Sequence, residues 1–416
     1  MQENREVDSS RWSIVVLLFV LLFFTLGSVN ASGVFFLPVV KTFGWSRARF
    51  AALVALPPIA GGLSGPFVGW LIDRAGARIM IIGGTAVIVL CNFGLSQASS
   101  FAQFGAIFFV AGLAFTAATI LPCSIVISNW FASERGLAMG IAFAGIPLGG
   151  AGITLLASYV VSHYGWRVGY FAMGLPVALV VIPALATFLR ERPLVPVDGL
   201  PSVKPESILL PGLEVSEALK SRSFWMIAVA QLLLTTSWVG IAAHFIPYIV
   251  GIGYAPATAA AILSVSFVVS AGGNLIIGLL ADRLKGRIVI ALACVSMAVG
   301  FMFLFAAARG GALAAHVIIC ATVGGAPAVL MPMVVADSLG LRRLGSTLGI
   351  TGISSTIGIA AGPIIAGRIF DVTGSYSDAL WLSIAMSWMA AAAILGCRPL
   401  AKEQSSRPAL VDASAA

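Results

Sequence analysis

Inside the long apolar runs of this 416-residue chain the titratable side chains are few. An ionisable group in such a setting is costly, so each one is a candidate for chemistry. His244 precedes Tyr248 by four residues, which puts both on one helix face, where an imidazolium and a phenol could hold a carboxylate and the imidazole could carry a proton. His316 lies in another apolar run. The competing reading for both histidines is a ring satisfied by hydrogen bonds within a helix bundle, and it weighs more on His316. Carboxylates avoid the runs altogether: Asp73, Glu134, Asp282, Asp337, Asp371 and Asp378 come nearest and stand at run ends. Trp238, Ser237, Thr236 and Phe143 could add an aromatic and hydroxyl lining, or simply pack. There is no HExxH and no GxxxxGK[ST] loop, which argues against a membrane-embedded hydrolase or an ATP-driven pump. Cys91, Cys123, Cys294, Cys320 and Cys397 form no CxxC pair and are odd in number, so neither a disulfide framework nor a zinc site is suggested; no metal and no cofactor is expected.

The elements that position these residues follow from composition. The chain is 59% hydrophobic and 10% charged, against about 25% charged in soluble proteins, and this excludes a soluble globular fold. Apolar runs at 12–38, 50–72, 79–98, 103–129, 137–162, 168–189, 224–250, 257–281, 288–308, 311–336, 346–368 and 378–397 are each long enough to cross a bilayer. With the N-terminus inside, eighteen of the 24 Lys and Arg fall on the cytoplasmic side, so the positive-inside rule places both termini in the cytoplasm. The net charge of +8 is therefore a topology signal, and no nucleic acid partner is expected. The first run is too long for a signal-peptide core and is read as a retained span. Pro193, Pro196, Pro201 and Pro205 mark 190–223 as a linker. Its end, LEVSEALKSR, reads either as a short helix on the membrane surface or as solvated chain.

An ungapped offset of 209 residues superimposes Pro38 on Pro247, Gly44 on Gly253, Gly69 on Gly278, Asp73 on Asp282, Arg74 on Arg283, Gly136 on Gly345, Gly140 on Gly349 and Gly165 on Gly374. The chain thus divides into a six-helix half at 1–189, the linker at 190–223, a second half at 224–397 and a tail at 398–416. The fold expected is an all-α membrane protein of twelve transmembrane helices in two pseudo-symmetric bundles, with a substrate site between them near the midplane.

The run Gly69-Trp-Leu-Ile-Asp73-Arg74-Ala-Gly76-Ala-Arg78 resembles the loop signature of the major facilitator superfamily, and Gly278-Leu-Leu-Ala-Asp282-Arg283-Leu-Lys285-Gly286-Arg287 is a degenerate copy. The stretches 33–50, 129–145, 165–174 and 362–380 resemble the monocarboxylate transporters and the oxalate:formate antiporters within it. The resemblance implies that Asp73 faces the start of span eleven near Ser346 and Asp282 the start of span five near Leu137. Gly69, Asp73, Arg74, Arg78, Asp282 and Arg283 are then the gating set of a cytoplasmic latch, with Asp73 and Arg74 holding an outward-open state. Glycines and prolines in spans five and eleven, such as Gly145, Pro147, Gly358 and Pro363, fit gating helices or ordinary close packing.

The same resemblance aligns Asn30 with a lysine, and Ser270 and Asn274 with an Asp-x-x-x-Arg pair, that serve proton and anion binding in animal monocarboxylate transporters. All three positions are neutral here, and Ser270 and Asn274 share a helix face. With His244 and Tyr248 they are the expected substrate-binding residues. The function implied is secondary transport of a small organic acid, a monocarboxylate, by alternating access with proton coupling; the alternative is efflux of a neutral or amphiphilic compound. The expected partners are that acid, protons and the lipid bilayer. The expected location is the plasma membrane, and the compact loops resemble those of a bacterial inner-membrane carrier.

Overall fold

A computed structural model describes residues 2–131, 134–190 and 212–399. The proline-rich part of the linker and the tail from residue 400 lie outside the described residues. Span one is Arg11–Asn30, continued past Ala31 by Ser32–Phe43; span two is Arg49–Ala75, span three Ala77–Gln97 and span four Phe101–Trp130. The second half runs through Arg222–Gly251, Ala261–Leu284, Gly286–Leu304, Gly310–Leu339, Leu344–Thr373 and Ser377–Leu395, which are spans seven to twelve.

Between these sets, Arg135–Phe188 is a single apolar run of 54 residues. At 1.5 Å per residue it would extend about 80 Å, far more than the roughly 30 Å of a hydrocarbon core. It turns back at Gly165, whose φ of 85° and ψ of 166° are not helical. The Trp166 indole donates to Thr42 Oγ1 at 3.0 Å and Arg167 donates to the Ala98 carbonyl at 3.1 Å, so the turn sits with the ends of spans one and three. Spans five and six are thus separate passes. The eleven apolar runs make twelve crossings, and the start of span one and the end of span twelve lie on one face, called here the terminal face.

The halves meet through small residues. Gly65 and Gly69 of span two pack on Gly349 and Gly345 of span eleven, and a Cβ on Gly65 would come within 2.8 Å of the Gly349 carbonyl oxygen. Gly136 and Gly140 of span five pack in the same way on Gly278 and Asn274 of span eight. Helices in lipid have no hydrophobic drive toward one another, so backbone approach of this kind supplies the contact. Both interfaces lie toward the terminal face.

The end of the linker forms a four-residue helix, Val215–Ala218. It docks on protein: Leu213 N donates to the Leu339 carbonyl at 2.9 Å, and Glu214 pairs with Arg342 at 3.0 Å and Arg343 at 3.1 Å. The segment is anchored because Leu213 and Ala218 are buried and Glu214 meets two cations in the loop between spans ten and eleven.

Candidate functional site

Two carboxylates join the halves at the terminal face. Asp73 accepts from the backbone N–H groups of Gly345 and Ser346, both at 2.9 Å, and from the Ser346 hydroxyl at 2.6 Å. Asp282 accepts from the N–H groups of Gly136 at 2.7 Å and Leu137 at 2.8 Å. Each carboxylate thus caps the first turn of a helix in the opposite half, where free N–H groups and the helix dipole favour an anion. The cations of the signature work within their own half. Arg74 lies over the Trp70 ring at 4.3 Å, and Arg78 donates to the Ala186 carbonyl at 2.7 Å. Arg283 is exposed at the end of span eight.

Beyond these contacts, toward the other face, a cavity of about 390 Å³ lies between the halves. Leu26, Val29 and Asn30 of span one, Ile120 of span four, and Ile146 and Pro147 of span five form one side. Spans seven to ten form the other. Val29 in its wall is 43% exposed. No Lys, Arg, Asp or Glu is among its lining residues. Its polar groups are Asn30, Trp238, Ser266, Ser270, Asn274 and His316.

The structure gathers Asn30, Ser270 and Asn274 at this cavity. The Asn30 amide donates to the Leu26 carbonyl at 3.3 Å, leaving its oxygen free to accept. The Asn274 amide nitrogen crosses between the halves to the Phe143 carbonyl at 3.2 Å. Its oxygen is buried against Gly325, without a hydrogen-bond partner, in a notch that any side chain at 325 would fill.

His244 and Tyr248 stand outside the cavity. His244 Nε2 is 3.0 Å from the Pro363 carbonyl and Nδ1 is 3.1 Å from the Tyr376 hydroxyl. A carbonyl only accepts, so Nε2 carries the proton and Nδ1 accepts from Tyr376. Burial, and then Asp371, push the Tyr376 phenol up, which keeps it a donor. Tyr248 donates to the Leu304 carbonyl. Both rings are therefore satisfied among spans seven, nine and eleven and the turn before span twelve.

His316, by contrast, lines the cavity and is 4% exposed. Its Nδ1 donates to the Gly300 carbonyl at 2.9 Å, and the ring stacks near Phe245 and Phe301 with centroids 5.5 and 6.2 Å away. Nε2 is the nitrogen left for another group. The sequence carried one signal for this: His316, Cys320 and Gly324 recur at four-residue spacing, so volume is removed along one face of span ten. Small residues also serve plain packing, which makes that signal ambiguous. Of the other expected lining groups Trp238 borders the cavity. Ser237 turns to Ser383 and Ser387 of span twelve, Thr236 bonds to its own helix at Leu232, and Phe143 is fully buried.

The fold agrees with comparisons to known proteins. The chain is 25% identical over 376 residues to monocarboxylate transporter 13 of Bos taurus, covering 88% of this chain and 84% of that protein. It is 24% identical over 411 residues to monocarboxylate transporter 12-B of Danio rerio, covering 89% and 83%. For monocarboxylate transporter 2 of Mus musculus the figures are 24% over 397 residues, with 88% and 79% covered. The family profile of the Major Facilitator Superfamily matches residues 17–363. With twelve spans, a duplicated carboxylate latch and a cavity between its halves, the chain belongs to the Major Facilitator Superfamily of membrane transporters.

Proposed function

We propose that this protein is a secondary carrier that moves a largely apolar monocarboxylic acid together with a proton by alternating access, with its terminal face in the cytoplasm. The observation that carries this reading is the lining of the central cavity, where a single imidazole, His316, stands among uncharged groups. A carboxylate entering such a cavity unpaired would bear a large desolvation cost. A proton removes that cost, either on the acid or on His316 Nε2, which then donates to the carboxylate. The second expected proton site, His244, has both ring nitrogens engaged by Pro363 and Tyr376, so the role is assigned to His316. Asn30 and Ser270 offer neutral hydrogen bonds, and the aliphatic and aromatic walls favour a bulky apolar body over a small dianion. Similarity to monocarboxylate transporters over most of the chain supports the class of substrate. We assign the closed terminal face, with the cavity lying beyond it, to an outward-facing state.

The test is uptake into proteoliposomes of labelled aliphatic and aromatic monocarboxylates beside their neutral alcohols, with and without an inward proton gradient. Acid uptake should rise with the gradient, and His316→Gln should remove at least tenfold of that stimulation while His244→Gln retains it. Uptake of the alcohols alone, indifferent to the gradient, would replace this reading with a neutral-compound carrier, which the absence of lining cations also fits.

A further inference from the structure

The N-terminal half holds a second, smaller chamber of about 110 Å³ between spans one, two, three, four and six. Its walls are mainly apolar, with Phe35, Phe50, Phe108, Phe115 and Tyr170 as their largest side chains and Ser28, Ser32 and Asn92 as polar members. Tyr170 is 7% exposed and its ring is stacked on Phe35 at 4.1 Å. Val29 borders this chamber and the central cavity alike. Ser28 lines the chamber and Asn30 the cavity, so Val29 stands at the partition between them.

We propose that this chamber receives the apolar end, an aryl or short alkyl group, of the transported acid, and that Val29 sets how much of it is admitted. The inference rests on the organic-acid reading above and extends it to the shape of the substrate. A dry apolar cavity of about 150 Å³ takes up benzene, so 110 Å³ suits a group of that order. A carboxylate has no cation to meet there, whereas an aromatic ring meets edges and faces of its own kind. The acid end then remains in the central cavity, whose opposite wall carries His316.

The experiment compares uptake of 4-phenylbutanoate with that of butanoate in proteoliposomes of the wild type, Val29→Phe, Val29→Ala and Ala111→Leu. Ala111 lines the chamber and not the central cavity. Burial of a phenyl-sized group corresponds to about tenfold to hundredfold in affinity. The phenyl-to-short ratio should fall about tenfold in Val29→Phe and Ala111→Leu and rise in Val29→Ala. An unchanged ratio in Ala111→Leu overturns the proposal, because the effect would then belong to the central cavity alone.

Cys91, which also lines the chamber, gives a readout independent of transport in a variant retaining only that cysteine. An apolar thiol reagent should label Cys91 more slowly with 4-phenylbutanoate present and at the control rate with butanoate. If 4-phenylbutanol protects Cys91 while neither acid is transported, the chamber stands and the organic-acid reading fails. Protection by added phospholipid and by no aryl compound would assign the chamber to a lipid chain and overturn the proposal.

Discussion

The two latches occupy equivalent places in the repeat and differ in how they hold. Asp73 and Asp282 are 209 residues apart, as are their donor turns at Gly345–Ser346 and Gly136–Leu137. Both carboxylates take the second and third N–H groups of the helix they cap. In the first latch Ser346 adds its hydroxyl, whereas the equivalent Leu137 can add nothing. About two turns away the balance reverses: Gly65 has no side chain, while its equivalent Asn274 reaches across to the Phe143 carbonyl. The duplicated backbone geometry has been kept, and the side chains that tie the halves together have diverged around it. The ion pairs behind the latches show the same pattern with the charges exchanged. Arg11 pairs with Glu134 before span five, and Glu214 pairs with Arg343 before span eleven.

The largest effect on this comparison should come from neutralising the carboxylates. Asp73→Asn turns one acceptor into an amide that faces an N–H donor, and the loss of charge-assisted bonds amounts to about 3 kcal/mol, near a hundredfold shift toward an open terminal face. Asp282→Asn, with one bond fewer, should shift the balance about thirtyfold. The check is the labelling rate, from the terminal face, of cysteines at the equivalent buried positions Thr347 and Ala138. Equal rates for the two mutants would mean that the serine bond contributes nothing.

A smaller change isolates that bond. Ser346→Ala should cost the first latch about 1.5 kcal/mol, roughly a tenfold rise in labelling at position 347, and Leu137→Ser should close the second latch by a similar factor if its hydroxyl reaches Asp282. The smallest effect concerns the turns beside the latches. Gly76 takes a φ of 87°, and its equivalent Lys285 takes 69°, the single non-glycine residue with positive φ among the described residues. An L side chain in such a conformation costs about 1–2 kcal/mol, offset in part by the chain entropy that glycine brings. Lys285→Gly should therefore raise the thermal midpoint by one to a few degrees, and Gly76→Lys should lower it, as followed by unfolding in detergent.

Much of the architecture was legible in the residues. Apolar runs of spanning length, the asymmetry of Lys and Arg, and the 209-residue repeat all follow from requirements that any bilayer imposes on any helix. The latch partners near Ser346 and Leu137 were legible through the resemblance of the 69–78 signature. The fold-back at Gly165 was marked by its place in the repeat opposite Gly374. The docking of Leu213 and Glu214 on the loop between spans ten and eleven was not, because a short amphipathic stretch suits a membrane surface and a protein surface equally well.

What the sequence by itself determined is that the chain crosses a membrane twelve times as two related halves and keeps charge out of its spans. What only the tertiary structure decided is which face of each span meets the cavity. In a soluble helix the polar face declares itself, but a span surrounded by lipid and by other spans is apolar all round, and its rotation is set by where small residues on another helix let it approach. That is why Asn30, Ser270 and Asn274 come together with His316 at one cavity, while His244 and Tyr248, an equally reasonable pair on their own helix, turn to Pro363, Tyr376 and Leu304.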